Sequence, residues 1–211
     1  MIVAKAGQEK KEYENVPQGT HIARCYSMIH IGTVEWEYMG EVKNTDKVRI
    51  AFELPNEMRD YNDRNLPMAI EKEYTLSMYE QANLRKDLEC WRGKAFTDQE
   101  AREFDITKLL GVSCQISVVH KISKKGSTYA TISAITPLVK GAVAPDQINN
   151  SFQFNYNDDF NTEWLDEECP KWIAETIKST PEYKSKINEY NDLQAVDDVV
   201  SAISDDNDMP F

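Results

Sequence analysis

Apolar and polar residues alternate most cleanly over residues 46–54, "DKVRIAFEL", where Val48, Ile50, Phe52 and Leu54 share one face and Lys47, Arg49, Ala51 and Glu53 the other. A period of two over that length predicts a half-buried strand. Runs rich in β-branched and aromatic residues predict further strands over 18–31, 68–77, 112–121 and 128–136. In the strand at 68–77, Lys72 and Tyr74 fall on one face and Glu71, Glu73 and Thr75 on the other; in 112–121, Val112, Cys114, Ile116 and Val118 are in phase. Trp36 and Tyr38 belong to the loop between the first two strands. Residues 55–67 are polar with a proline at each end, which predicts the next loop.

After residue 77 the period becomes helical. Leu84, Leu88 and Trp91 recur at helical spacing, Ser77 with Glu80 reads as a capping box, and Gly93 closes the helix. Arg85, Glu89 and Arg92 lie on the opposite face with Lys86 alongside. A second box, Thr97 with Glu100, opens a short helical stretch that closes near Gly111, and "ISKKGS" joins the last two strands as a hairpin. Three strands, a helical segment and two strands is the element order of an OB-fold, a partly open five-stranded barrel whose loops and one face take up single-stranded nucleic acid.

Beyond residue 145 the composition shifts. An aromatic segment, "SFQFNYNDDF", precedes two short predicted helices, one with Pro170 at its first position beside Trp172, Ile173 and Ile177, the other capped by Thr180 ahead of Pro181. These aromatics are expected to pack back on the barrel. Residues 188–211 hold seven acidic residues and no basic one, a composition that predicts disorder. The expected fold is thus mainly β with short helices: a five-stranded OB-fold barrel (1–145), an acidic α/β extension packed on it (146–187) and a disordered acidic tail (188–211).

Charge sharpens that division. The net charge of −12 over 211 residues is concentrated: residues 1–149 carry 20 basic and 21 acidic side chains, residues 150–211 carry 4 and 15. The barrel region is near neutral, and the acidity belongs to the C-terminal third of the chain. Cys25, Cys90, Cys114 and Cys169 are scattered without a C-x-x-C, which predicts free, mostly buried thiols in a reducing compartment. No run of about 18 uncharged apolar residues is present, and the start lacks a signal-type apolar core, so no membrane partner and a cytoplasmic setting, that of a bacterial host, are expected.

Single-stranded nucleic acid requires cations for phosphates and flat side chains for unstacked bases. The barrel offers Trp36, Tyr38, Lys47, Arg49, Lys72 and Tyr74 from its first three strands, and His120, Lys121, Lys124, Lys125 and Tyr129 around the last hairpin. Each residue alone has an ordinary reading, Tyr74 or Trp36 in the core and Lys-Lys-Gly as a solvated turn; the constellation carries more than its members. Catalytic motifs are missing: no two glycines lie close enough for a phosphate cradle, and His21, His30 and His120 stand alone. Glu41-Val42-Lys43 is a faint nuclease-like E-x-K without its acidic partner, and Asp158 with Asp159, or Asp166 with Glu167 and Glu168, are bare carboxylate clusters. No enzyme activity, cofactor or metal is expected.

The chain ends "DDNDMPF". Asp205, Asp206, Asp208, Pro210 and Phe211 resemble the acidic tip of bacterial single-stranded DNA-binding proteins, with Met209 in place of the usual isoleucine. The resemblance implies that Phe211 enters a hydrophobic pocket on replication, recombination or repair proteins while the aspartates meet basic residues. "EYTLSMYEQANLRKDLECWRGKAF" and "VVHKISKKGSTYATI" resemble bacteriophage-encoded OB-fold single-stranded DNA-binding proteins, over residues 18–140. No long Gly/Gln/Pro linker is present, so tetramer formation does not carry over. The expected function is single-stranded DNA binding without sequence preference in replication and recombination; the first rival is an acidic interaction or inhibitor protein that mimics DNA, and the second a metal-dependent nuclease using Glu41 or Asp158.

Overall fold

The computed structural model describes residues 14–61, 63–157 and 160–191, and the side chain of Tyr38 lies outside that description. Five antiparallel strands, β1 (Gly19–Tyr38), β2 (Glu41–Tyr61), β3 (Arg64–Thr75), β4 (Ser113–Ile122) and β5 (Thr128–Thr136), form one sheet in the order β3-β2-β1-β4-β5, curled into a half-barrel. Between β3 and β4 stand α1 (Asn83–Arg92), α2 (Asp98–Glu103) and a 3₁₀ turn (Ile106–Leu109). The element order is the expected one. α1 packs against β5 and β3; no ladder joins β3 to β5 among the described residues, so the barrel stays open along that seam.

The alternation in β2 is observed as a core stripe. Val48, Ile50, Phe52 and Leu54 are buried with Cys25, Met28, Cys114, Ile116, Val118 and Ile132, and α1 adds Leu84, Leu88 and Trp91. Trp91 packs on Phe52 at 5.4 Å between ring centroids and donates its Nε1–H to the Ser113 carbonyl at 3.2 Å. The Thr97–Glu100 capping box is formed at α2, and Gly93 ends α1 in the left-handed conformation. The thiols of Cys25 and Cys114 are free and buried, and burial raises both above their ordinary value; Cys90 is exposed.

Several elements differ from expectation. Trp36 and Tyr38 are not in a loop: β1 and β2 continue as a two-stranded ribbon through 33–46, closed by Met39 and Gly40. Residues 55–67 likewise pair across the β2–β3 hairpin after a register shift between Leu54 and Met58. The Ser77–Glu80 box does not form; the Ser77 hydroxyl accepts from the Tyr79 amide instead, and α1 starts six residues later behind Ala82 without a side-chain cap. Arg85, expected on the solvent face, is buried and donates to the Met78 and Phe96 carbonyls as well as to Glu89. Val112 is exposed, because the chain enters β4 one residue later.

The extension builds a second core on the outer side of β1. A short strand β6 (Phe152–Phe154), not foreseen from the sequence, pairs in parallel with Ser27–Ile29. α3 (Thr162–Glu167), capped by Asn161, and α4 (Lys171–Ser179), with Pro170 at the cap instead of the first position, then bring Leu165, Ile173, Ala174 and Ile177 against Ile29, Ile31 and Phe154. The predicted Thr180-capped helix is α5, residues 181–191, where the Thr180 hydroxyl accepts from the Tyr183 amide; it runs through 188–191, which the sequence assigned to the disordered tail, and the rest of that tail, 192–211, lies outside the described residues. Tyr156 donates to the Ile31 carbonyl at 2.6 Å, and Glu182 accepts from both the amide and the hydroxyl of Thr33. These contacts meet at Gly32, which lies at a register shift with φ +91°.

The extension also changes the fate of β2's polar face. Glu53 is fully buried and accepts from the backbone amides of Ile148 and Asn149 and from the Asn149 side chain, all within 2.8 Å. A buried carboxylate needs such donors. Among the described residues no helix is long and apolar enough to cross a membrane.

Candidate nucleic-acid interface

The β4–β5 hairpin closes through Ser123–Ser127. The Ser123 amide donates to the Ser127 carbonyl, the Gly126 amide to the Ser123 carbonyl, both at 2.9 Å, and the two hydroxyls are 2.7 Å apart. Gly126 takes φ +82°, which a residue bearing a Cβ resists, so the turn type follows from the Lys-Lys-Gly sequence. Lys124 and Lys125 stand at its tip, and Lys121 pairs across the ladder with Tyr129, putting the two side chains on one face. All three lysines are exposed and form no ion pair among the described residues, and Tyr129 is 45% exposed. Four of the eleven predicted residues are thus brought together: three cations with no ion pair among the described residues, beside an accessible ring.

From Tyr129 a groove of about 400 Å³ crosses the open seam, lined by Thr131 of β5, Ala69 and Glu71 of β3, and Arg49 and Arg59 of β2. Arg59, unassigned by the sequence because 55–67 read as loop, also lies 5.8 Å from the Tyr61 ring centroid. Arg49 is only 9% exposed. Its guanidinium is clamped by Glu71 and Glu73, and it lies 4.3 Å from the ring centroid of Trp172 on α4, an indole that is 54% exposed. Trp172 falls beside, not on, the Ile173–Ala174–Ile177 stripe, and a large aromatic off the apolar stripe is the signal that marks it.

The other predicted residues are placed differently. Tyr74 is 4% exposed, facing the core with its hydroxyl donated to Asp87 at 2.8 Å, and burial followed by the Asp87 charge raises its pKa. Lys72 pairs with the same Asp87 at 2.6 Å and Lys47 with Glu73 at 2.8 Å, so both lysines, which line one cleft with Glu73 and Tyr79, have their charge matched. His120 donates to the Val16 carbonyl at 2.8 Å and fixes the segment 14–16 along the seam groove, where Asn15 also donates to the Thr128 carbonyl. Trp36, 43% exposed, donates to the Thr45 hydroxyl on a ribbon that also carries Glu35, Glu37 and Glu41 against Lys43. That ribbon presents more negative than positive charge, the reverse of what phosphate requires.

Asp205, Asp206, Asp208, Met209, Pro210 and Phe211 lie outside the described residues, as do Asp158 and Asp159. Among the described residues no three His, Cys, Asp or Glu side chains are grouped as metal ligands would be, the Glu41 ribbon and the Asp166–Glu168 turn included. Comparison with protein-family models, with curated proteins and with solved structures finds no match.

Proposed function

We propose that this protein binds single-stranded DNA without sequence preference, in replication or recombination in a bacterial cytoplasm, as the bacteriophage proteins it resembles are expected to do. The observation that carries the reading is the β4–β5 hairpin: three exposed lysines with no carboxylate partner among the described residues, beside a half-exposed tyrosine that lines a groove. Lysine meets phosphate and an aromatic ring meets any base face, so the pair reads strands without reading sequence. The acidic tip, Asp205 to Phe211, recruits partner proteins in this account.

The interface is narrower than composition alone implies. Lys47, Arg49 and Lys72 spend their charge on Glu73, Glu71 and Asp87, and Tyr74 supports the core. Replacing Lys124 and Lys125 together by glutamate tests the reading. Affinity for oligo-dT is expected to fall, and the slope of log K against log salt to flatten by about 1 to 2, since each phosphate contact on a single strand contributes about 0.7. Unchanged affinity and slope would remove the hairpin from the site.

A second reading, an acidic protein that mimics DNA and occupies a nucleic-acid enzyme, draws on Glu35, Glu37 and Glu41 along the exposed ribbon. It predicts no binding to oligo-dT and inhibition of a nuclease or helicase by the intact protein, relieved when the three glutamates become glutamine.

A further inference from the structure

We propose that Trp172 of the extension is a base-stacking residue, so that the bound strand runs from the β4–β5 hairpin through the seam groove to α4. The inference rests on the single-strand reading above and extends it to an element outside the barrel. Leaving an indole half in solvent costs free energy relative to burying it. This one is held in place. Ile173, Ala174 and Ile177 of the same helix are buried in the second core, and the inner face of the ring is backed by the Arg49 guanidinium at 4.3 Å.

Arg49 is in turn fixed by Glu71 and Glu73, so the ring cannot fall inward without displacing an ion-paired, nearly buried cation. The outer face is left as a rigid platform, the arrangement that base stacking needs. Arg49 also lines the groove that Tyr129 shares, so one side chain touches both the indole and the groove that leads to the hairpin. The ligand chemistry follows from the neighbours. Glu175, exposed one turn further along α4, opposes a phosphate there, as does exposed Glu168 at the end of α3 four residues before Trp172, while exposed Lys171 offers a cation. The site therefore takes an unstacked nucleobase by its flat face and contributes little charge.

That division gives the test its discrimination. In titrations of oligo-dT at two salt concentrations, Trp172→Ala is expected to lower affinity about five- to a hundredfold with the salt slope unchanged. Trp172→Phe keeps most of the affinity but loses part of the tryptophan-fluorescence quench that stacked thymine produces in the wild type. With wild-type binding intact, Trp172→Ala affinity within about twofold of wild type, and a full quench in Trp172→Phe, would overturn the proposal while leaving the hairpin site standing. Lower affinity accompanied by a lower melting temperature and a full quench in Trp172→Phe would assign the residue to holding α4 on β2, and would also overturn it. A wild type that binds no oligo-dT removes the single-strand reading and this inference together.

Discussion

Glu182 joins chemistry far apart in the chain, since its carboxylate accepts from the amide and hydroxyl of Thr33 on β1. Burial pushes this carboxyl up, but the two Thr33 hydrogen bonds, with its own backbone amide and the nearby His30, together more than offset it, leaving its pKa below the ordinary value of 4.5. A carboxyl lowered by folding stabilises the folded state fully above the ordinary value, and that contribution is lost as pH falls through the folded one. The attachment of α5 to β1 is therefore expected to be insensitive to pH between about 7 and 5 and to weaken in more acid solution. Hydrogen exchange of the Thr33 amide checks this. In Glu182→Gln the acid-dependent component should vanish, and an unaltered acid profile in that variant would show that another group controls it. None of this is legible in the sequence, where Thr33 and Glu182 are single polar residues 149 positions apart.

Among the elements, legibility follows the apolar pattern. β2, β4, β5 and α1 were readable because each buries one face, and burial imposes a period of two or of 3.6. The ribbon at 33–46 was not: its residues face solvent, its strands are held by each other, and a ladder of backbone hydrogen bonds leaves no hydrophobic signature. β6 is three residues long, too short for any period. Arg49 and Glu53 follow the expected alternation, yet both are buried, because the chain returns about a hundred residues later to cover them. The docking of the extension concentrates at Gly32. A Cβ there would stand 2.8 Å from the Tyr156 hydroxyl and 2.9 Å from Glu182 Oε2, on a backbone at φ +91°. Gly32→Ala is expected to destabilise the protein by about 2–4 kcal/mol in urea melts, through left-handed strain and displaced polar partners. A loss below about 0.5 kcal/mol would mean that the extension is not anchored through this position.

For the whole molecule, the division of charge read from the sequence corresponds to a division of surface. The extension covers the outer side of β1 and part of β2, while Glu14, Asn15 and Val16 line the β3–β5 seam with Arg49, Arg59 and Glu71, so the seam carries mixed charge and the exposed lysines gather at the last hairpin. Under the proposed function, an acidic tail tethered to the same chain would compete for the hairpin lysines at high effective concentration, and a bound strand would displace it by mass action. Deleting residues 205–211 is expected to spare or tighten DNA binding while abolishing capture of partner proteins; a pull-down that retains them would sink the role given to the tip. Single-strand binding itself is best checked by a fluorescence-anisotropy titration of labelled oligo-dT at two salt concentrations, with a duplex of equal length as control. Salt-sensitive binding to the single strand and much weaker binding to the duplex are expected. No binding to oligo-dT at low salt, with or without the tail, would contradict the assignment.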